Sequence, residues 1–417
     1  MQKFVIQGGR HLEGEISVQG AKNSALPIAA AALLCDGTSC LENCPRLSDV
    51  FAACKILTNL GCRCSISGNI VTVDAHGMHS SEIPEQFMCE MRSSIIFLGA
   101  VLGRMGSCTL GYPGGCELGP RPINLHLQAL RRMGVKIREE NGILHCTTPA
   151  GLHGARIHLQ FPSVGATENI LLAAVTAKGE TTISNAAREP EIIDLARFLR
   201  RCGAVIAGEG TGTITVSGVA QLHGCTYPIM PDRIVAATWL AAAAAVGGVL
   251  RLRHVCAADM ESILAVFEEM NCRISTGEDS ICFHAGTPLY AVRTLKTMPY
   301  PGFPTDAQAI LMAALCRAKG TSVIEETIFE NRFRPVDALV RMGAAIRTAG
   351  RAAIVNGVQE LHGAAVEATD LRGGAAMLIA GLCAAGETVI TEIHHIDRGY
   401  DSPEQVLRSV GAEIIRT

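Results

Sequence analysis

Apolar residues along the chain form two kinds of helix-length run, and the two kinds alternate six times. The first kind is amphipathic, with apolar residues three or four apart, and ends just before Gly61, Gly134, Gly203, Asn271, Gly343 and Gly411. Glycine or asparagine there is what a left-handed helix cap needs. The caps are spaced by 73, 69, 68, 72 and 68 residues, so six units nearly account for the 417-residue chain. After each cap the pattern switches to strict alternation, which predicts strands. Residues 63–66 face 70–73 across Gly68-Asn69, 136–138 face 143–146 across Asn141-Gly142, and 205–207 precede 213–216 through Gly210 and Gly212. These are hairpins with turn residues in place.

The second kind of run is apolar or small nearly all round: 25–34, 95–102, 170–177, 236–246, 309–318 and 375–384. A helix without a polar face has to be enclosed on every side. Each unit therefore combines one exposed amphipathic helix, one enclosed helix and a sheet. The expected class is α/β (α+β), with buried helices inside outer sheets.

The sixth hairpin has only its first strand, 412–416, and the missing strand lies at the other end of the chain. Residues 4–8 resemble 354–357 and 215–218, and Leu12-Glu13-Gly14 matches Leu152-His153-Gly154, Leu222-His223-Gly224 and Leu361-His362-Gly363. Residues 1–20 thus complete unit six. Units one to three are expected to form one domain, 21–229, and units four to six with the N-terminus the other, 1–20 plus 230–417. Two domains joined by two crossings suggest a clamp around a ligand cleft.

Composition narrows the function classes. The net charge is −3 and aromatic residues make up 4%, so neither a basic field nor a base-stacking platform for nucleic acid is expected. Seventeen cysteines, an odd number, follow an N-terminus that does not read as a signal peptide. Reduced thiols in a cytoplasm are the expectation. The Cys62-Arg63-Cys64 and Cys40–Cys44 spacings have no partner motif for zinc. The longest apolar run, 236–250, is short and alanine-rich, which argues against a membrane span.

Candidate chemistry sits at the mouths of the enclosed helices and in one loop. Lys22-Asn23, Arg92-Ser93, Thr167-Glu168, Asp232-Arg233, Thr305-Asp306 and Asp370-Leu371-Arg372 precede those helices. Asp and Thr fit N-caps, but a cation opposes the helix dipole, so capping does not account for Lys22, Arg92 or Arg372. A cationic ring for phosphate and carboxylate is the expected role, with Arg121 and Arg398 as further members. The run from Tyr112 to Pro122, rich in proline and glycine, places Cys116 near a loop tip and Arg121 at its foot. A nearby guanidinium would activate that thiol. Ser163-Val164-Gly165 is a small-residue loop that leads into an enclosed helix, where backbone N–H groups suit a pyrophosphate. Walker A and H-E-x-x-H motifs are absent, and Gly208–Gly212 reads as a hairpin turn.

Several motifs together resemble the UDP-N-acetylglucosamine 1-carboxyvinyltransferases of the EPSP synthase superfamily. They are Lys22-Asn23, Pro113-Gly114-Gly115-Cys116, Gly119-Pro120-Arg121-Pro122, Ser163-Val164-Gly165-Ala166-Thr167, Asn185-Ala186-Ala187-Arg188-Glu189-Pro190, Phe303-Pro304-Thr305-Asp306, Glu330-Asn331-Arg332-Phe333, Ala368-Thr369-Asp370-Leu371-Arg372 and His395-Ile396-Asp397-Arg398-Gly399-Tyr400. The resemblance spans the whole chain. It implies two inverse α/β barrels of three repeats each, and transfer of the enolpyruvyl group of phosphoenolpyruvate to the sugar 3′-hydroxyl, with no metal or cofactor. The sibling reaction on shikimate 3-phosphate, in a family without the cysteine loop, and a non-catalytic UDP-sugar sensor are the alternatives.

The same resemblance implies site roles. Lys22, Asn23, Arg121, Arg372 and Arg398 would hold phosphoenolpyruvate. Asn23, Arg92, Arg121, Pro122, Ile123, Asn124, Leu125, Ser163, Val164, Gly165, Asp306 and Ile328 would hold the UDP-sugar. Cys116 would protonate C3 or form a covalent phosphoenolpyruvate adduct, and Asp306 would take the hydroxyl proton, with Lys22 and Arg398 also catalytic. Some members carry a lysine just before the Ser-Val-Gly-Ala-Thr loop where this chain has Phe161-Pro162, so backbone groups would serve there.

Overall fold

The computed structural model describes residues 2–112 and 123–417. Among them, six four-stranded sheets share one plan. In each a hairpin supplies two antiparallel strands, as in Arg63–Ser67 with Ile70–Asp74. The second hairpin strand pairs antiparallel with the strand that follows an enclosed helix, here Thr38–Glu42. The six amphipathic helices end where the spacing places them. Gly61, Gly134, Gly203, Asn271, Gly343 and Gly411 all have positive φ, from 74° to 104°.

The fourth strand of each sheet is short, parallel and borrowed from another repeat. Glu82–Ile83 lies beside Ser107–Gly111, Arg156–His158 beside Glu180–Ser184, and Thr226–Pro228 returns to Thr38–Glu42. Three sheets are thereby linked in a closed ring. A second ring is linked by Thr294–Lys296 on Thr321–Glu325, Ala365–Glu367 on Glu387–Thr391, and Glu13–Ser17 on Val249–Arg253. The Leu-x-Gly motif marks these handovers. A side chain at Gly154, Gly224 or Gly363 would lie 2.2, 2.1 or 2.1 Å from the carbonyl oxygen of Glu180, Thr38 or Glu387. Only glycine lets the backbones approach so closely. Phe4–Gln7 inserts between Glu387–Thr391 and Glu413–Arg416, which completes the sixth hairpin.

The chain divides into two compact units, one of residues 20–112 with 123–230 and one of residues 2–19 with Pro231–Thr417. Each has its own apolar core. In the second unit the enclosed helices Arg233–Val246, Thr305–Leu315 and Leu371–Cys383 pack against one another. In the first, Phe97–Met105 packs against both Lys22–Ala31 and Val164–Ala174. No helix of the described residues is long and apolar enough to cross a membrane.

The enclosed helices begin earlier than the hydrophobic pattern indicates. Lys22, Arg233, Thr305 and Arg372 lie in the first helical turn, and Thr167 and Glu168 lie inside the helix Val164–Ala174. Asp232 and Asp370 are N-caps, each accepting two backbone N–H bonds. That carboxylate offsets the dipole, so the helix tolerates the arginine that follows.

Candidate functional site

In the first unit, the candidate residues fall in two groups. Lys22 opens an enclosed helix whose N-cap, Ala21, supplies no side-chain bond. The Lys22 side chain is buried, with Nζ 3.3 Å from Oδ2 of the buried Asp49. It is therefore no solubilising surface charge. Asn23, next on the helix, is half-buried. The helix is fixed from behind by Asp194, which accepts from Ser24 Oγ, from Tyr227 Oη at 2.6 Å and from Met230 N at 3.3 Å. Burial, chiefly, raises the Asp194 pKa.

The second group joins two segments far apart in sequence. Ser163 caps the helix Val164–Ala174 by accepting from Ala166 N at 3.3 Å. Gly165 faces His126, in the helix Asn124–Arg132, so closely that a side chain at 165 would lie 3.1 Å from the imidazole Cε1. Asn169 ties the arrangement. Its amide donates to His126 Nδ1 at 2.7 Å and to Ile95 O at 2.9 Å, and its Oδ1 accepts from Gly99 N at 2.7 Å. Ile123 is buried, Asn124 exposed and Leu125 half-buried. The structure thus brings 123–125 and 163–165 together. Arg92 opens the short 3-10 helix Arg92–Ile96. Phe161 is exposed, and its carbonyl accepts from Ser163 N at 2.7 Å.

In the second unit, Asp306 is held between two guanidiniums. Arg332 Nη2 lies 2.5 Å from Oδ1 and Arg372 Nη2 lies 3.1 Å from Oδ2. Both arginine side chains are about nine-tenths or more buried, while Asp306 is 29% exposed, so one edge of the carboxylate stays reachable. Two adjacent cations favour its ionised form. Arg372 also donates to Tyr400 Oη at 3.1 Å, and Tyr400 Oη shares a hydrogen bond with Thr238 at 2.8 Å. Arg372 is thus placed as the holder of Asp306. Arg332 further donates to Thr305 O at 3.2 Å.

Glu326 orders this region from below. It is 1% exposed and accepts from Thr297 Oγ1, Thr305 Oγ1, Ile328 N and Phe329 N at 2.8–3.0 Å. It therefore ties the Ile328 turn to the helix that presents Asp306. Arg398 ends the 3-10 helix Ile393–Arg398 and is half-buried. Cys116, Arg121 and Pro122 lie outside the described residues.

The sequence reading assigned no role to His126, Asp194, Glu326 or Arg332. Only Arg332 carried a signal, through its place in the Glu-Asn-Arg-Phe motif. No group of three or more metal-ligating side chains occurs among the described residues.

Residues 6–407 match the family EPSP synthase (3-phosphoshikimate 1-carboxyvinyltransferase). The chain is 49% identical over 416 residues to UDP-N-acetylglucosamine 1-carboxyvinyltransferase 2 of Caldanaerobacter subterraneus subsp. tengcongensis, with both chains fully covered. It is 46% identical over 416 residues to the UDP-N-acetylglucosamine 1-carboxyvinyltransferase of Acinetobacter baylyi, again over both full lengths. Among solved structures, the enolpyruvyl transferase NikO from Streptomyces tendae superposes with a TM-score of 0.91 at 26% identity, covering 100% of this chain and 99% of that one. EPSP synthase from Acinetobacter baumannii shares the fold, with a TM-score of 0.76 at 20% identity and full coverage of both chains.

Proposed function

The chain belongs to the EPSP synthase family, and we propose that it transfers the enolpyruvyl group of phosphoenolpyruvate to the 3′-hydroxyl of UDP-N-acetylglucosamine, releasing phosphate. Full-length identity of 49% and 46% to enzymes of that name carries the choice of acceptor. The observation that carries the chemistry is Asp306, a carboxylate held between two buried arginines.

In this reading Asp306 takes the proton of the 3′-hydroxyl as its oxygen bonds to C2 of phosphoenolpyruvate. The Cys116 thiol gives a proton to C3. The tetrahedral adduct then loses a proton from C3, and the C2–O bond to phosphate breaks. Inorganic phosphate leaves and the enolpyruvyl ether remains. Lys22, Arg121 and Arg398 offset the charge of phosphoenolpyruvate, which is dense for its volume. Lys22 suits the role because burial against Asp49 limits its rotamers. The UDP moiety is assigned to Asn23, Arg92, Ile123–Leu125, the Ser163–Gly165 loop and Ile328. Arg372 acts through Asp306. We place the enzyme in the cytoplasm, at the entry to peptidoglycan synthesis, as a target of the epoxide fosfomycin.

Phosphate release from phosphoenolpyruvate tests the acceptor. UDP-N-acetylglucosamine should give release equal to the acceptor consumed, and shikimate 3-phosphate none; no release with the nucleotide sugar sinks the reading. Cys116→Ser should lose most turnover and all covalent labelling by fosfomycin, whereas persistent labelling would move the nucleophile to another thiol.

A further inference from the structure

The helix Val164–Ala174 has a second donor at its mouth besides its own backbone. Asn169 can approach His126 Nδ1 only as a donor, because its Oδ1 is engaged by Gly99 N and its amide nitrogen is the atom 2.7 Å from the ring. An amide N–H pointing at Nδ1 requires a lone pair there, so the imidazole proton sits on Nε2. His126 is only 7% exposed, and the hydrogen bond to Asn169 is its one polar contact among the described residues. The ring edge bearing Nε2 lies against Gly165, where a side chain would come within 3.4 Å of that nitrogen. No acceptor for that N–H occurs among the described residues, which leaves it open to an acceptor on a bound ligand.

We propose that His126 is a binding residue whose Nε2–H donates to a phosphate oxygen of the nucleotide sugar at the Ser163–Gly165 helix mouth. This rests on the proposed function for the identity of the ligand. Glycine at 165 then has a second purpose, since any side chain would separate the donor from the anion. Burial pushes the imidazole pKa down to about 4, so the donor stays neutral and constant through physiological pH. The arrangement also offers one answer to Phe161-Pro162: a neutral donor from a neighbouring helix stands where some relatives offer a lysine.

Two measurements test the proposal. In the protein labelled with 15N-histidine, His126 should show the neutral tautomer with hydrogen on Nε2, and that proton should move downfield as UDP-N-acetylglucosamine saturates. A proton on Nδ1, or an unmoved Nε2–H at saturation, overturns it. In kinetics, His126→Phe should raise KM for the nucleotide sugar about 10–100-fold, the usual weight of a hydrogen bond to a charged group. KM for phosphoenolpyruvate should stay within about 3-fold. His126→Gln, which can accept from Asn169 and still donate, should recover most of the loss. Equal damage to both KM values, or failure of Gln to rescue a folded variant, assigns His126 to structure alone. Wild-type protein that does not bind UDP-N-acetylglucosamine would instead refute the underlying function, a separate outcome.

Discussion

In the unit of Pro231–Thr417, Asp306 and Arg416 sit in ion pairs with buried partners, whereas in the unit of residues 20–230 burial favours the neutral forms of His126, Glu168 and Asp194. Asp306 stands between Arg332 and Arg372, and Arg416 is paired with Asp397 and Glu404. In the other unit, burial drives His126 down to about 4 and Glu168 up to about 8, and it raises Asp194 as well. Lys22 with Asp49 is a buried ion pair in that unit. The scaffold is the same, and in the proposed function the difference fits the work of each half. A carboxylate that accepts a proton must be ionised and aimed, and paired arginines do both. In the proposed reading, the mouth of Val164–Ala174 meets phosphate through backbone N–H groups and the helix dipole, and the neutral forms of His126 and Glu168 add no buried negative charge behind them.

The largest way to break this contrast is to unpair Asp306. Arg372→Ala removes one cation and the Tyr400 partner from a buried site. Loss of one member of a buried pair typically costs about 3–5 kcal/mol. Arg332 remains and Asp306 is 29% exposed, so a loss of roughly 3 kcal/mol is expected from urea unfolding. Turnover should fall by about 100-fold or more through misplacement of the base. Unchanged turnover in a folded Arg372→Ala protein would show that Asp306 does not need this guanidinium.

The neutral side of the contrast is tested by Glu168. Burial, then Glu191 and Glu189, raises its pKa from 4.5 to about 8. Between those values the folded protein holds a proton that the unfolded chain has released. Stability from this group is thus present below pH 4.5 and declines as pH rises towards 8, by about 1.4 kcal/mol per unit at most. Glu168→Gln keeps the shape without the titration. Its melting temperature should exceed that of the wild type at pH 8 and match it near pH 5. A constant difference at both pH values would mean that Glu168 is ionised in the fold.

Much of this architecture was legible in the sequence because it rests on strong local signals. Six left-handed caps, six hairpins and six all-apolar helices recur at one spacing, and the truncated sixth hairpin pointed to the N-terminal strand. The handover strands were not legible. Arg156–His158 and Thr226–Pro228 are three residues each with one buried side chain, Ile157 or Tyr227, too short for alternation to register. Helix starts were read late where Lys22-Asn23-Ser24 and Arg372-Gly373-Gly374 open the helices with residues outside the apolar pattern. The cationic mouths were visible because Lys22 and Arg372 contradict the dipole. Glu326 and His126 were not, since a lone carboxylate or imidazole in sequence says nothing of the four donors or the single amide that converge on it.

The smallest expected effect asks whether the two scaffolds are equivalent beneath their different charges. The strand after an enclosed helix carries a buried hydroxyl at its second residue in both units, at Thr181 and at Thr388. Both are 0% exposed and neither hydroxyl has a hydrogen-bond partner. Two other repeats place leucine or cysteine there, Leu250 and Cys108, so the site itself does not demand a polar atom. A buried hydroxyl without a partner costs about 1–3 kcal/mol, and valine fills nearly the same volume without it. Thr181→Val and Thr388→Val should therefore each raise stability by about 1 kcal/mol, with turnover unchanged. Equal gains would show that both rings bear the same cost in the same place, so that the contrast in charge is confined to the helix mouths. A gain in one unit only, measured by urea unfolding of the two variants side by side, would mean that the rings differ in packing as well and that the charge contrast does not stand alone.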